Sequence, residues 1–413
     1  MQLSSVLLAF LVLLLGQAAV PAAASQRPDF KPAPPNCRNT GSFEPWLERF
    51  RKDAVASGIS RETVAAALEG VTLDPSVIAR DRKQGFFAQS FLSFSGKLIS
   101  KARIQKGISR LKQHEELLAR VEKQYGVPGP VIAAFWALES DFGADVGKLP
   151  VLRSLATLAY DCRRGEMFRG ELMDALRIID RGDLTPEEMI GPWAGELGHM
   201  QFLASHYLKY SVDFDGDGRR NLIKSVPDVL ASTGNFLSQL GWKRGEPWLE
   251  EVKVPDSLPW DQADLAVQHP RSKWAAWGVT RADGSRLKAD ALPASLLLPM
   301  GRNGPAFLGY QNFQVYLQWN QSLNYCITVA YLATRLAGAP PMSPGKETVA
   351  ELSMEQIKDL QQLLVRRGYD VGEIDGKLGA LTRGSVKAMQ MKLGLPADSY
   401  PTAELIERMR AAR

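Results

Sequence analysis

The sequence predicts a mainly α-helical protein of two or three domains, with a small irregular or short-stranded insertion. The chain of 413 residues is too long for one ordinary domain, and its 45% hydrophobic and 23% charged residues are typical of a globular protein. Apolar residues recur with helical spacing through most of the stretch from 43 to 336. Residues 242–298 depart from this pattern, because they contain prolines and tryptophans but few long periodic runs. We expect this insertion to line part of a cleft.

The N-terminus has the pattern of a secretory signal peptide over residues 1–24. This stretch carries no charge, and its apolar run from Val6 to Leu15 is far shorter than the roughly 20 residues that span a bilayer. Small residues suited to signal peptidase follow at Ala22, Ala23 and Ala24. We therefore expect export to the periplasm or the exterior as a soluble protein without a membrane span. Residues 25–42, rich in Pro and Asn, are predicted to be a tether.

Helical patterns follow from Phe43 onward. Ser60 is a candidate N-cap, residues 97–123 form a basic helical stretch with a solvated face, and helix is predicted again from Ser322 to Leu336. The composition of residues 339–350 predicts a linker between a domain over residues 43–338 and a smaller unit over residues 351–413. We expect the smaller unit to fold alone and to act as a tethered module.

The charge of the chain restricts its partners. The net charge of +5 and the pI near 9.0 suit an acidic or polyanionic partner. Lysines and arginines are interleaved with acidic residues and form no long basic tract, which disfavours nucleic acid. We expect a monomer that needs no organic cofactor.

The three cysteines would lie in an oxidising compartment after export. Cys326 lies in an apolar helical stretch and is predicted to be a buried small residue. Cys37 and Cys162 lie in polar surroundings and are a candidate disulfide, with two unrelated free thiols as the alternative.

Glu139 is the strongest catalytic candidate. It lies near the end of a predicted helix that starts after Pro128 and stops at Gly143. Phe135 and Trp136 precede it by four and three positions and so share its helix face. A carboxyl group held against aromatic rings has a raised pKa and can act as a general acid near neutral pH. The alternative is a solvated glutamate near a helix end.

A glycine-containing segment from Gly195 to Phe202 offers Gln201, whose amide can donate to and accept from sugar hydroxyls. This motif is weak by itself, because a plain loop has the same composition.

An acidic turn resembles the first half of a calcium-binding loop. Asp213, Asp215 and Asp217 occupy the first, third and fifth positions, and Arg219 the seventh. Lys224 stands where such loops place a bidentate glutamate, so Asp228 would have to complete the ligand set of a structural Ca²⁺. The alternative is a solvated acidic turn.

Several motifs in the same order resemble the membrane-bound lytic murein transglycosylase B family between about Phe43 and Leu336. They are Tyr125-Gly-Val-Pro128, Trp136-Ala-Leu-Glu-Ser-Asp-Phe-Gly143, the segment from Gly195 to Phe202, Val212-Asp-Phe-Asp-Gly-Asp-Gly218 and Gly241-Trp242. Residues 354–386 look like a peptidoglycan-binding domain 1 module. The resemblance implies a lysozyme-like catalytic domain with a small three-helix peptidoglycan-binding domain, acting on peptidoglycan glycan strands.

The resemblance also assigns roles to individual residues. Glu139 matches the single acid/base glutamate, and Gln201 matches a glutamine that contacts sugar. Asn320 and Tyr325 match cleft residues that come late in the family's sequences, and Arg163 and Arg164 match an arginine pair that faces the substrate. The family's calcium site falls on Asp213, Asp215 and Asp217, with Asp228 matching its later aspartate after a one-residue shift. Departures from the family pattern stand at Pro192, Glu196, Phe236 and Trp319.

The mechanism implied by the family needs one carboxylate. Asp141 lies two helical positions from Glu139 and points to another face, and the role of Glu196 is open. In the family, the glutamate protonates the oxygen of the MurNAc–GlcNAc bond and then takes the proton of the MurNAc 6-hydroxyl, which closes a 1,6-anhydro ring. The alternatives are a hydrolytic muramidase and a non-catalytic wall-binding protein.

Overall fold

In the computed structural model, which describes residues 36–82 and 89–411, the chain is mainly helical, and this confirms the predicted fold class. The signal peptide predicted over residues 1–24 and the start of the tether lie outside the described residues. Residues 36–42 of the tether lead into the first helix. Across the described ranges, no helix is long and apolar enough to cross a bilayer.

In the ranges that the structure describes, six helices precede the helix that carries Glu139. Their bounds are α1 (Phe43–Ala56), α2 (Arg61–Ala67), α3 (Pro75–Arg82), α4 (Phe91–Leu98), α5 (Lys101–Gln113) and α6 (Glu115–Tyr125). Ser60 caps α2 as predicted, because its side chain accepts a hydrogen bond from the backbone N–H of Thr63. The basic stretch from 97 to 123 is divided into separate helices, since Ser100 caps α5 and the chain turns at His114.

The helix α7 (Gly129–Ser140) is the central element of the fold. Its side chains are apolar around the whole circumference and nearly all are buried, as expected of a core helix. The helix ends before Gly143, because Asp141 and Phe142 adopt left-handed conformations with φ of 49° and 61°. The Phe142 N–H then donates to the carbonyl of Trp136, closing the helix end. Glu139 therefore lies in the last turn of a buried helix.

Short strands and helices follow around α7. They are β1 (Leu149–Pro150), α8 (Val151–Tyr160), α9 (Gly165–Asp180), β2 (Ile190–Gly191), α10 (Ala204–Tyr210) and α11 (Val226–Gln239). The strands β1 and β2 pair antiparallel, and α8 packs along α9.

The insertion is an antiparallel sheet of five strands rather than an irregular segment. Its elements are β3 (Leu249–Lys253), β4 (His269–Pro270), α12 (Arg271–Ala276), β5 (Thr280–Arg281), β6 (Pro293–Leu297) and β7 (Ala306–Gly309), in the strand order β4-β6-β7-β3-β5. It has its own core, which includes the fully buried Trp274 and Tyr310. Strands of two to five residues are too short for a clear alternation of apolar and polar residues, so the sequence pattern shows them weakly.

Two helices return to the core, and three form the C-terminal module. They are α13 (Gln311–Trp319), α14 (Leu323–Leu336), α15 (Met354–Val365), α16 (Ala380–Lys392) and α17 (Ala403–Ala411). The helix α14 packs along α7, which brings Tyr325 to the level of Glu139. The module has a separate core in which Leu360, Val386 and Leu405 are fully buried.

The linker and the module contact the catalytic part, so the expected free tether is replaced by a docked module. The backbone N–H of Ser343 donates to Glu251 at 2.7 Å, and that of Lys346 donates to the carbonyl of Asn303 at 2.7 Å. Lys387 of α16 forms an ion pair with Asp264 of the insertion at 2.8 Å. All described residues belong to one compact unit.

Candidate active site

Three helices build the environment of Glu139. The helix α7 carries the carboxyl group, the end of α13 supplies Trp319, and the first turn of α14 supplies Tyr325. The indole N–H of Trp319 donates to Oε1 of Glu139 at 2.8 Å, and the hydroxyl of Tyr325 donates to the same oxygen. Oε2 receives no protein donor from the described residues, so it is the oxygen that can carry the catalytic proton.

The aromatic surroundings of Glu139 differ from the prediction in one respect. Phe135 lies on the expected face, and its ring centroid is 4.4 Å from that of Trp319. Trp136 instead packs against Phe142 and His199. The apolar rings beside the carboxyl group are therefore those of Phe135 and Trp319, whereas the ring of Trp136 is taken up by its contacts with Phe142 and His199.

This enclosure raises the pKa of Glu139 to about 7. Removal of the carboxyl group from water is the main cause, the hydrogen bonds from Tyr325 and Trp319 oppose it, and the negative charge of Glu196 adds a smaller increase. A carboxyl group with this pKa can donate a proton at neutral pH and accept one in the following step.

The other two acidic candidates have different surroundings. Asp141 is bound to Lys106 at 2.7 Å and to Arg103 at 3.5 Å, so it is engaged on another face, as predicted. Glu196 is half-buried on the loop after β2, and burial raises the pKa of its carboxyl group. Its charge acts on Glu139 through space.

The loop containing Gln201 is held by its own backbone. Leu197 and Phe202 exchange two backbone hydrogen bonds of 2.8 and 3.0 Å. Gln201 has a positive φ of 50°, and its side-chain N–H donates to the carbonyl of Gly198 at 2.8 Å. Phe202 packs against Trp319, with centroids 5.5 Å apart, so the loop lies beside the acid candidate.

Asn320 connects α13 to α14. Its side-chain oxygen accepts the backbone N–H of Ser322 at 2.9 Å, and its carbonyl accepts the thiol of Cys326 at 2.8 Å. Cys326 is buried, as the apolar pattern of its helix predicts. The contact of Asn320 with sugar stays a prediction.

The arginine pair is held by an aspartate that the sequence analysis did not single out. Asp81 of α3 is only 1% exposed and pairs with both Arg163, at 2.9 Å, and Arg164. The adjacent Cys162 forms a disulfide with Cys37, with a Cα–Cα distance of 6.1 Å. The substrate-facing role of the arginines stays a prediction, while their ion pairs with Asp81 orient them.

The acidic turn brings three carboxylates together. One carboxylate oxygen from each of Asp213, Asp215 and Asp217 lies within 4.8 Å of the other two. Asp213 is held by the backbone N–H groups of Gly216 and Gly218, at 2.7 and 2.9 Å. Three hard oxygen donors at this spacing fit Ca²⁺.

Two other members of the predicted ligand set have different contacts. Asp228 is fully buried, and its two oxygens accept the backbone N–H groups of Phe214 and Asn221, each at 2.7 Å, so it holds the loop in place. The guanidinium of Arg219 donates to Glu188, which Lys224 also contacts. The side chain of Arg219 therefore contributes to an ion-pair cluster beside the turn.

Comparison with known proteins assigns the family. Residues 42–334 match the family described as Transglycosylase SLT domain, and residues 353–409 match the family described as Putative peptidoglycan binding domain. The chain belongs to the SLT-domain transglycosylase family.

Relatives and solved structures agree with this assignment. Membrane-bound lytic murein transglycosylase B of Escherichia coli (strain K12) is 31% identical over 251 residues, which cover 60% of this chain and 68% of that protein. SltB3 from Pseudomonas aeruginosa, in complex with NAG-anhNAM-pentapeptide, is similar with a TM-score of 0.84 and 39% identity over 90% of this chain and 100% of that chain. Escherichia coli Slt35 in complex with calcium has a TM-score of 0.62 and 29% identity, over 74% of this chain and 98% of that chain. The chain is therefore an enzyme of the lytic transglycosylase class, with the predicted lysozyme-like fold.

Of the departures from the lytic murein transglycosylase B pattern, Trp319 is the one that donates a hydrogen bond to Glu139. An indole N–H can only donate a hydrogen bond and cannot accept one. Trp319 therefore favours those forms of the Glu139 carboxyl group in which Oε1 carries no proton. Phe236, another departure, packs against the same indole with centroids 5.1 Å apart and helps to hold its orientation.

Asp81 is a site residue that sequence reasoning missed. The local signal is its position between Arg80 and Arg82 in the basic last turn of a short helix, and such turns are common on solvated surfaces. Its partners are 82 and 83 residues away, so only the folded chain reveals the ion pairs.

Proposed function

We propose that this transglycosylase cleaves the β-1,4 bond between MurNAc and GlcNAc in peptidoglycan without water, leaving 1,6-anhydro-MurNAc ends. The observation that supports this reaction best is the carboxyl group of Glu139, with a pKa of about 7 and two donors on one oxygen. One group with that pKa can serve first as acid and then as base.

In the first step, Oε2 of Glu139 transfers its proton to the glycosidic oxygen while the bond from that oxygen to C1 of MurNAc breaks. The carbonyl oxygen of the MurNAc acetamide stabilises the positive charge at C1. Trp319 and Tyr325 then stabilise the carboxylate that remains, because both donate to Oε1.

In the second step, Glu139 takes the proton of the MurNAc 6-hydroxyl as O6 bonds to C1. The glutamate returns to its protonated state, and no water is consumed. The indole and phenol donors direct the proton to Oε2 whenever the carboxyl group is protonated, since protonation of Oε1 would weaken its acceptance of the N–H of Trp319.

A hydrolytic muramidase is the second candidate, because Glu196 lies near enough to raise the pKa of Glu139. A hydrolase would need Glu196 or another base to position water. Asp141 is paired with Lys106 and Arg103 and does not fit that role. The non-catalytic alternative is disfavoured by the intact acid candidate and its two donors.

We also infer a structural Ca²⁺ at Asp213, Asp215 and Asp217, since the three carboxylates converge and the structure of the relative Slt35 is a complex with calcium. The ion would remove the repulsion between the carboxylates and fix the turn before α11. The signal peptide pattern at the N-terminus supports action in the periplasm, and we expect a monomer.

Mass spectrometry of muropeptides released from purified sacculi tests the reaction. Anhydro products, lighter by one water than reducing-end products, are expected from wild type and not from Glu139→Gln. Reducing MurNAc ends as the main product would instead identify a muramidase.

A further inference from the structure

A cavity of about 780 Å³ lies between the C-terminal module, the insertion sheet and the connection from α13 to α14. Pockets that bind small molecules typically have roughly 300–1,000 Å³. Phe91 and Leu317 contribute apolar wall, while Lys377 and Arg383 contribute cations. We call this space the module cavity.

Arg383 of α16 is the feature that points to a ligand. One of its guanidinium N–H groups donates to the carbonyl of Pro299 at 2.7 Å, and the guanidinium lies 5.7 Å from the ring centroid of Tyr400. Within residues 36–82 and 89–411, it forms no ion pair with a carboxylate. Burial lowers the pKa of Arg383, because its charge is removed from water without a direct counter-ion.

The nearby acidic groups are already engaged. Asp398 attracts Arg383 from a longer distance, but its two oxygens accept N–H groups of Gln390, Tyr400 and Arg302. Asp264 forms its ion pair with Lys387.

Among the described residues that line the cavity, Arg383 is the cation without an ion pair. Lys377 pairs with Asp375 at 3.5 Å, and Glu351 lies at the exposed edge. The guanidinium therefore keeps N–H donors for an anion that enters the module cavity.

The cavity adjoins the acid/base site along the chain. Residues 321–324 form part of its wall and directly follow Asn320. This connection separates Trp319 from Tyr325, the two donors to Glu139. The wall of the module cavity therefore includes the segment that joins the two donors to Glu139.

We propose that the module cavity binds the peptide stem of the peptidoglycan substrate, with Arg383 holding one of its carboxylates. The proposal rests on the proposed function. Stem peptides are short and combine small apolar side chains with free carboxylates, which match the apolar wall and the guanidinium. An arginine can bind a carboxylate through two parallel hydrogen bonds.

The test uses the full chain and two substrates, namely glycan strands with their peptides and strands from which an amidase has removed them. Arg383→Gln should lower kcat/KM about ten- to a hundredfold on the strands with peptides, as expected for loss of a charge-assisted hydrogen bond. It should leave cleavage of the peptide-free strands unchanged. Arg366→Gln is the matched control, because Arg366 lies exposed on the same module, outside the cavity.

Calorimetry with soluble stem peptides measures binding without the reaction. Wild type and Arg366→Gln should bind the peptide, and Arg383→Gln should not, whether cleavage leaves anhydro ends or reducing ends. Equal loss of cleavage on both substrates, or loss on peptide-free strands alone, would overturn the proposal. Equal peptide binding by wild type and Arg383→Gln would also overturn it.

Discussion

Glu139→Gln separates the catalytic role of this residue from its effect on stability. The folded protein raises the pKa of the Glu139 carboxyl group from 4.5 to about 7, chiefly by burial. This difference corresponds to roughly 3 kcal/mol. A glutamine retains the shape and can accept from Trp319 and Tyr325 with its amide oxygen, but it carries no titrating proton.

The sign of the stability effect follows from the direction of the shift. Because the folded-state pKa lies above the unfolded-state pKa, the folded protein binds more protons between pH 4.5 and about 7. The contribution of the Glu139 carboxyl group to the stability of wild type therefore declines as the pH rises through that window. Above it, ionised Glu139 destabilises the wild type by roughly 3 kcal/mol relative to acid pH. The glutamine variant lacks this decline.

Urea unfolding of both proteins at about pH 4.5 and about pH 8.5 measures the effect. The free energy of unfolding of the variant minus that of wild type should be roughly 3 kcal/mol larger at the alkaline pH than at the acidic pH. Its turnover of sacculi should fall by at least about 10²-fold, while sacculus binding is retained. A stability difference that is the same at both pH values would falsify the raised pKa, and substantial remaining lytic activity would refute the role of Glu139.

Three further predictions concern the surroundings of the site. Trp319→Phe removes a donor to the carboxylate, so the pKa of Glu139 should rise. The alkaline limb of the pH–rate profile should then move to higher pH, and a move to lower pH would contradict the hydrogen bond. Calcium should raise the melting temperature of wild type but not of Asp215→Ala, and identical curves in calcium and chelator would indicate a solvated turn. Truncation after Gly338 should lower the melting temperature of the catalytic part, because it removes the Lys387–Asp264 ion pair and the contact of α16 with Pro299. An unchanged melting temperature would show that the module is freely tethered.

Local patterns in the sequence were sufficient to predict several helices and turns of this protein. The helix of Glu139, the cap at Ser60 and the acidic turn each depend on residues within a few positions of one another, where periodicity and capping are informative. The order of the motifs predicted the resemblance to the lytic murein transglycosylase B family, which the match to the SLT-domain family supports. The polar surroundings of Cys37 and Cys162 made them a candidate pair, and they form a disulfide in the structure.

Only the tertiary structure decided how these parts act on each other. The indole of Trp319 reaches Glu139 across 180 residues of chain, and Asp81 reaches the arginine pair across 82 and 83. The strands of the insertion pair across loops, and α16 docks on the catalytic part instead of moving on a tether. Periodicity describes which face of an element is buried, but it does not specify the partner on that face. The pKa of Glu139 depends on that partner, because desolvation and hydrogen bonding are set by the atoms that surround the carboxyl group in the folded chain.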